Sequence, residues 1–353
     1  MTRKFCLSVA LAALLSLLCG CDVHQWPSPE IDYLSHVTLR LRYDTDFWVW
    51  KHVYDPKQNE FPVEMYPDSD FDPGHPGTTA VYDNTRPSGV MDVRVAVYRS
   101  GSRSNSVAEY RFLRDVSDGY DCEVDVALEG GSYEVVVWSH LLEDADSAPF
   151  YSVSDYYMIG IIDENYVGNT DYRDGFRGRA GFDLPDLASS DGQVCEVEMR
   201  RPMGKFEFET IDLSEFLDNE TKRRGLSTRA TAEEYDVVIS YPYYYPNGYY
   251  ALRDDITSGS GYRFTTGLTV TGESEASMGF DYVFINNIPD GRVQAQVSVY
   301  DLSGNLVSNS QVITIPIRRD HHTVLRGAFL TMNSSGGVGI DPDYDGDHNV
   351  TFP

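Results

Sequence analysis

Three aspartates near the C-terminus, Asp341, Asp343 and Asp345, alternate and run into Gly346. That is the opening spacing of a calcium loop, where carboxylates at every second position converge on one hard cation and glycine permits the sharp turn. The twelfth position is Phe352, which offers no bidentate carboxylate, so a Ca2+ ion here would be held weakly. Asp-Pro and Asp-Gly also make plain turns, and that reading asks for nothing more. A second cluster is Tyr241-Pro242-Tyr243-Tyr244-Tyr245-Pro246-Asn247-Gly248-Tyr249-Tyr250. Tyrosine supplies flat amphipathic area with a polar tip, so Tyr243, Tyr244 and Tyr245 could stack against sugar rings. The plainer expectation is a hairpin that turns at Pro246-Asn247-Gly248, with tyrosines alternately in the core and on the rim.

Other reactive residues give less. His321 and His322 are adjacent, and adjacent residues of a strand point to opposite faces, so the pair cannot chelate one ion by itself; a surface strand end is expected there. Arg224 and Arg229 fall in a polar stretch, 219–233, that reads as a loop open to an Arg-specific protease, although an exposed loop needs no such role. No G-x-S-x-G, P-loop or G-x-G-x-x-G stands between a strand and a helix, and no carboxylate pair is distinguished by its spacing. The expectation is a protein that is not an enzyme and carries no cofactor other than a weak Ca2+.

The N-terminus points to a compartment. Arg3 and Lys4 precede an apolar stretch from Phe5 to Leu18 that is short for a bilayer span, and Leu18-Cys19-Gly20-Cys21 closes it. This resembles the lipobox of bacterial lipoproteins, which implies cleavage before Cys21 and acylation of its thiol, with palmitate-type chains holding the protein on a membrane. Residues 1–20 are then the signal peptide and 21–35, with Pro27 and Pro29, an extended tether.

The 353 residues carry 28 Lys and Arg against 55 Asp and Glu, a formal net charge of −27. So acidic a body has no electrostatic case for nucleic acid and is repelled by anionic lipid headgroups, which leaves the acyl chains to do the anchoring. The acids are scattered, as on a solvated folded exterior. Beyond Cys21, the mature chain holds Cys122 and Cys195. In an oxidising compartment these offer one internal disulfide, and two buried thiols fit the sequence equally well.

Period-two alternation recurs at short intervals and predicts strands at 37–43, 91–98, 122–128, 133–138, 194–199, 201–210, 235–241, 262–265, 280–285, 293–300, 311–316 and 322–331. Residues 54–90, with six prolines, and 141–185 read as long irregular stretches. One helix is expected at 212–220. The pattern predicts an all-β chain of two sandwiches, 36–193 and 194–340, followed by an Asp-rich tail, 341–353.

Four stretches look familiar together: Arg201-Pro202-Met203-Gly204-Lys205-Phe206-Glu207-Phe208, the Tyr/Pro run at 241–250, the segment from Val312 to Gly327 with Ile315-Pro316-Ile317-Arg318-Arg319-Asp320-His321-His322-Thr323, and Ile340-Asp341-Pro342-Asp343-Tyr344-Asp345-Gly346-Asp347. This resembles the fimbrillin-like lipoproteins of Bacteroidales. The chain departs from the family pattern at Gly204, where Ala is usual, at Asp320, where Asn is usual, and at Ala328-Phe329-Leu330-Thr331, where N-L-L-T is usual. The resemblance implies two transthyretin-like β-sandwich domains and an anchor, tip or accessory subunit of a surface fimbria. It implies partners in other fimbrial subunits, joined by strand donation, and a place at the outer membrane facing the cell surface. Stalk subunits of that family are trimmed after an Arg. The tether here lacks one before Arg40, inside a predicted strand, which favours an untrimmed anchor or accessory role. The alternative is a glycan-binding outer-membrane lipoprotein partnered with a nutrient importer, and its sequence feature is the Tyr241–Tyr250 run.

Overall fold

A computed structural model describes residues 34–53, 82–83, 87–102, 105–154, 157–185, 192–287 and 291–332. In chain order the first strands are β1 Ser35–Tyr43, β2 Phe47–Val53, β3 Tyr82–Asp83, β4 Val90–Arg99, β5 Ala108–Asp115, β6 Cys122–Leu128, β7 Gly131–Leu142, β8 Tyr151–Val153, β9 Met158–Ile161, β10 Gly175–Leu184 and β11 Gln193–Arg200. After them come β12 Met203–Thr210, helix α1 Leu213–Arg224, β13 Tyr235–Tyr250, β14 Asp255–Gly267, β15 Thr269–Val270, β16 Ala276–Phe284, β17 Gly291–Asp301, β18 Leu306–Asn309, β19 Ile313–Ile317 and β20 His321–Gly327. The chain is all-β, as its alternating patterns require.

Three sheets form. The first runs β5-β4-β7-β10-β11-β1-β6, the second β15-β16-β12-β20-β2-β3, and the third β18-β17-β13-β9-β8, with β14 on β13 and β19 on β17. Most neighbours are antiparallel; β1 with β11, β12 with β20, and β2 with β20 are parallel. Four strands that precede residue 193, namely β2, β3, β8 and β9, pair in sheets otherwise built from residues beyond 200. The chain therefore crosses between sheets several times, where alternation alone suggests one crossing.

Two cores fill the space. Val37, Leu39, Leu41, Val93, Val95, Val135, Val137 and Val197 line one. Ala96, Val136, Trp138, Phe206, Phe208, Val237, Ile239 and Val283 line the other. Strand β7 serves both, with Val135 and Val137 facing the first core and Val136 and Trp138 the second. A strand buried on both faces loses its polar positions, which is why Val135-Val136-Val137-Trp138 reads as a continuous apolar run.

Strand β10 lies inside a stretch expected to be irregular, because Gly175-Phe176-Arg177-Gly178-Arg179-Ala180-Gly181 has the composition of a loop. It nonetheless pairs along its whole length with β7. Helix α1 extends four residues beyond its expected end and stops at Gly225, whose φ of 63° is left-handed. There the Gly225 N–H donates to Lys222 O and the Leu226 N–H to Thr221 O, a C-cap that satisfies the last carbonyls. Lys222, Arg223 and Arg224 occupy the last turn, where positive charge complements the helix dipole.

Candidate functional site

The tyrosine run lies on β13, and the chain does not turn at Pro246-Asn247-Gly248. The strand continues to Tyr250 and reverses over residues 251–254, where the Arg253 and Asp254 N–H groups donate to Tyr250 O. The expected turn becomes a bulge because of what happens four residues earlier. Tyr241 pairs with Tyr262 of β14 and Tyr245 pairs with Ser260, so Pro242, Tyr243 and Tyr244 stand opposite Gly261 alone. Residues four apart on a regular strand are separated by about 13 Å. Yet the rings of Tyr241 and Tyr245 touch, with centroids 4.4 Å apart. The three residues between must loop outward: Tyr243 is 65% and Tyr244 49% exposed, while Tyr241 and Tyr245 are buried.

Buried hydrogen bonds hold the two inner rings. The Tyr241 hydroxyl donates to Asp281 Oδ2 at 2.5 Å, and the Tyr245 hydroxyl donates to Tyr282 O at 2.6 Å. Arg173 closes the cluster, pairing with the Asp281 carboxylate and donating from Nη2 to the Tyr245 hydroxyl at 2.6 Å. Tyr166 donates to Asp281 from a third direction, at 2.7 Å. Burial is the largest influence on the Asp281 carboxyl and raises it, against the opposing pull of Arg173 and the tyrosine donors. Burial likewise lifts Tyr241 and Tyr245 well above the ordinary tyrosine value, so both remain neutral donors.

Arg173 belongs to a junction segment, Asp171-Tyr172-Arg173-Asp174, whose charges are all answered by residues later in the chain. Lys205 Nζ meets Asp171 Oδ1 at 2.9 Å, and Arg201 Nη2 meets Asp174 Oδ2 at 2.8 Å. Arg201 also donates to the carbonyl of Thr45 at 2.8 Å and lies over the rings of Phe47 and Phe176, at 3.9 and 4.7 Å. The Arg and Lys of the 201–208 stretch therefore pin the turn between β1 and β2 and the entry to β10. Sequence pattern does not show Asp171, Arg173 and Asp281, because a buried ion pair leaves no periodic signal. The one hint is the alternation of sign in Asp171, Arg173 and Asp174.

The two departures from the familiar pattern sit together. A Cβ on Gly204 would lie 2.2 Å from the Arg318 carbonyl oxygen, so glycine is what this close approach allows. Asp320 adopts φ 57°, a left-handed conformation that Asp and Asn tolerate, and its carboxylate accepts from the Arg201 N–H at 3.2 Å. His321 and His322 are not a surface strand end. His322 is 6% exposed within β20, with Nε2 3.1 Å from Glu207 Oε2 of β12, and His321 Nδ1 lies 2.6 Å from Arg319 O. β20 lies between its parallel neighbours β12 and β2; His322 is buried, and His321, the first residue of the strand, is half-buried.

The remaining expected site residues are dispersed. Cys122 and Cys195 are free thiols. Cys122 stands opposite Leu41 on one side of β1 and Cys195 opposite Leu39 on the other, so a whole strand lies between them and the disulfide cannot form. Arg224 closes α1 and pairs with Glu234 at 2.5 Å. Arg229 lies beyond the helix, where it pairs with Asp218 at 2.7 Å and donates to Ser214 O at 2.9 Å. Of the tyrosines put forward for stacking, Tyr243 and Tyr244 face solvent and Tyr245 does not. Cys21 and Asp341, Asp343 and Asp345 lie outside the described residues. Among the described residues, no group of three His, Cys, Asp or Glu is arranged to hold a metal ion.

Comparison with known proteins gives one family. A model described as a family of unknown function, DUF6562, matches residues 72–353. No curated protein matches the chain. Among solved structures, a candidate cell adhesion protein from Bacteroides eggerthii is similar at a TM-score of 0.43 and 10% identity, over 86% of this chain and 90% of that one. The fimbrial anchor protein Mfa2 from Porphyromonas gingivalis is similar at a TM-score of 0.37 and 10% identity, over 77% of this chain and 82% of its own. The tip fimbrial protein Mfa3 from the same organism, truncated at its C-terminus, is similar at 0.35 and 10% identity, over 80% of this chain and 81% of its own.

Proposed function

The chain belongs to DUF6562, a family of unknown function; from the lipobox-like segment ending at Cys21 and the resemblance of the second half we propose a non-enzymatic role at the cell envelope. The protein is a lipid-anchored, fimbrillin-like subunit that serves as anchor, tip or accessory unit of a surface fimbria. Acyl chains on Cys21 hold it at the outer membrane, and sheet edges join it to other subunits.

One observation carries this reading. The stretches around 201–208 and 312–327, which the resemblance rests on, lie more than a hundred residues apart and pair side by side as β12 and β20, with Lys205 opposite His322. Their two departures, Gly204 and Asp320, meet at the same corner, where the Asp320 N–H donates to Met203 O at 3.3 Å. The stretches thus behave as one structural unit. The partnership itself asks for an unpaired backbone edge with alternating side chains. β5 ends the first sheet and its residues alternate between half-buried and exposed from Ala108 to Asp115, which suits an added strand.

The test is fractionation and co-purification from the native host. Wild-type protein is expected in the outer-membrane fraction, bringing fimbrial subunits with it, and a Cys21→Ser variant is expected to lose the membrane. Membrane retention of that variant, or a wild type that captures no surface subunit, would overturn the reading.

A further inference from the structure

We infer that Tyr243 and Tyr244 form a stacking site for a neutral pyranose glycan. The site goes beyond the fimbrial role and does not depend on it.

The argument starts with how the rings are held. An exposed aromatic on an ordinary surface loop is free to collapse onto nearby apolar surface. Here the backbone that carries the two rings is held, because contact between Tyr241 and Tyr245 fixes both ends of the bulge, and buried bonds to Asp281 and Tyr282 fix those rings in turn. Extruding Pro242, Tyr243 and Tyr244 interrupts the β13–β14 ladder between Tyr241 and Tyr245. A bulge that re-aims side chains in this way is a built feature.

Tyr244 is placed further by its neighbour on β14. A Cβ on Gly259 would lie 2.1 Å from the Tyr244 ring, so the ring rests on bare backbone and presents its remaining surface to solvent. The surroundings of the bulge are hydroxyls, an amide and glycine. The Ser258 hydroxyl donates to Asn247 Oδ1 at 2.8 Å, Asn247 Nδ2 donates to the Tyr262 hydroxyl at 3.2 Å, and Ser260 is the partner of Tyr245.

This chemistry selects the occupant. Across β14 the bulge faces Ser258, Gly259, Ser260 and Gly261, so an apolar protein anchor or a lipid surface would find no apolar rim along that strand. A polyanion approaches a chain of net charge −27 against repulsion. A neutral pyranose has one C–H face that packs on a flat tyrosine and an edge of hydroxyls that exchanges hydrogen bonds with Ser, Asn and tyrosine hydroxyls.

The experiment is isothermal titration of the mature chain, residues 21–353 carrying Cys21→Ser for solubility. The neutral probes are cellohexaose, mannohexaose, xylohexaose and laminarihexaose; the anionic probes are heparin and polygalacturonate. At least one neutral probe is expected to bind and neither anion. Tyr243→Ala and Tyr244→Ala should each weaken binding tenfold or more, and both positions are exposed enough to leave folding intact. Gly259→Ala should weaken it several-fold while the thermal midpoint stays unchanged, because only the far end of the Tyr244 side chain must move. Failure of every neutral probe overturns the site, as does binding that survives both Tyr→Ala variants. A wild type that self-associates through these tyrosines and binds no glycan also overturns it and makes the bulge a protein contact. The fimbrial role is read from co-purification, so either can fail alone.

Discussion

Arg201 and Asp174 form a buried ion pair in which Arg201 Nε lies 2.8 and 2.9 Å from the two carboxylate oxygens. Neither side chain is more than 5% exposed. Arg201 precedes β12, Asp174 precedes β10, and the same guanidinium reaches back to the Thr45 carbonyl, so three remote segments meet on one side chain. Removing one partner strands a buried charge, at a cost of about 3–5 kcal/mol. Arg201→Ala should therefore lower stability by about that much in urea unfolding followed by far-UV circular dichroism. The double variant Arg201→Met with Asp174→Leu should recover a large part of the loss, since it leaves no orphaned charge. A double variant no better than the single would show that the carbonyl contacts at Thr45 matter more than the pair.

Gly204 tests the close approach of β12 to the segment after β19. Alanine is the better strand former in most settings, and the resembling family carries it here. In this chain its methyl would collide with the Arg318 carbonyl at 2.2 Å, and a backbone atom does not step aside as a side-chain tip does. Gly204→Ala should cost about 1–3 kcal/mol, the range for overpacking. A neutral or stabilising result in the same unfolding measurement would mean that the 318–320 turn relaxes at no cost.

Two groups pull stability in opposite directions between about pH 4 and pH 6. Burial, the largest influence, pushes Asp320 up to about 6 against the pull of Arg201. Its contribution is full below the unfolded value near 4 and is lost as pH rises through 6. Burial pushes His140 down to about 4, and neither ring nitrogen has a hydrogen-bond partner among the described residues, with Asp92 of β4 paired opposite. Its contribution is full above about 6.5 and is lost as pH falls through 4. The two slopes offset each other in the wild type. Asp320→Asn keeps a residue at ease with φ 57° and removes one slope. The thermal midpoint of that variant should rise at pH 7–8 and fall more steeply than wild type below pH 6. An unchanged pH profile would show that Asp320 titrates normally.

Alternation made the strands legible wherever one face is solvated. Cys122–Leu128 is the clearest case, with Val124, Val126 and Leu128 buried and Glu123 and Asp125 exposed. Alternation failed where both faces are covered or where glycine permits close packing, which hid β10 inside an apparent loop. The tyrosine bulge was half legible. The run itself is conspicuous, but which tyrosines face outward depends on Asp281, Tyr282 and Arg173, each remote in sequence. Cys122 and Cys195 were misleading as a pair, because spacing in sequence says nothing about the strand β1 that separates them.

Arg229 sets a last expectation, on trimming. A protease needs several residues of extended backbone around the bond it cuts, and this arginine is held back against α1. It pairs with Asp218, and Nη2 donates to both Ser214 O and the Ser214 hydroxyl, at 2.9 and 2.7 Å. Arg224 is protected differently, as the final residue of the helix. Folded protein should therefore resist an Arg-specific protease at both positions. The Asp218 pair is half exposed and contributes less than about 1 kcal/mol, so Asp218→Ala should speed cutting after Arg229 by no more than about fivefold. Adding Ser214→Ala should leave the backbone bond to Ser214 O in place and change little more. Mass spectrometry of timed digests reads the site and the rate directly. Rapid cleavage of the wild type after Arg229 would show that these contacts do not restrain the loop, and would turn this segment into a genuine processing site.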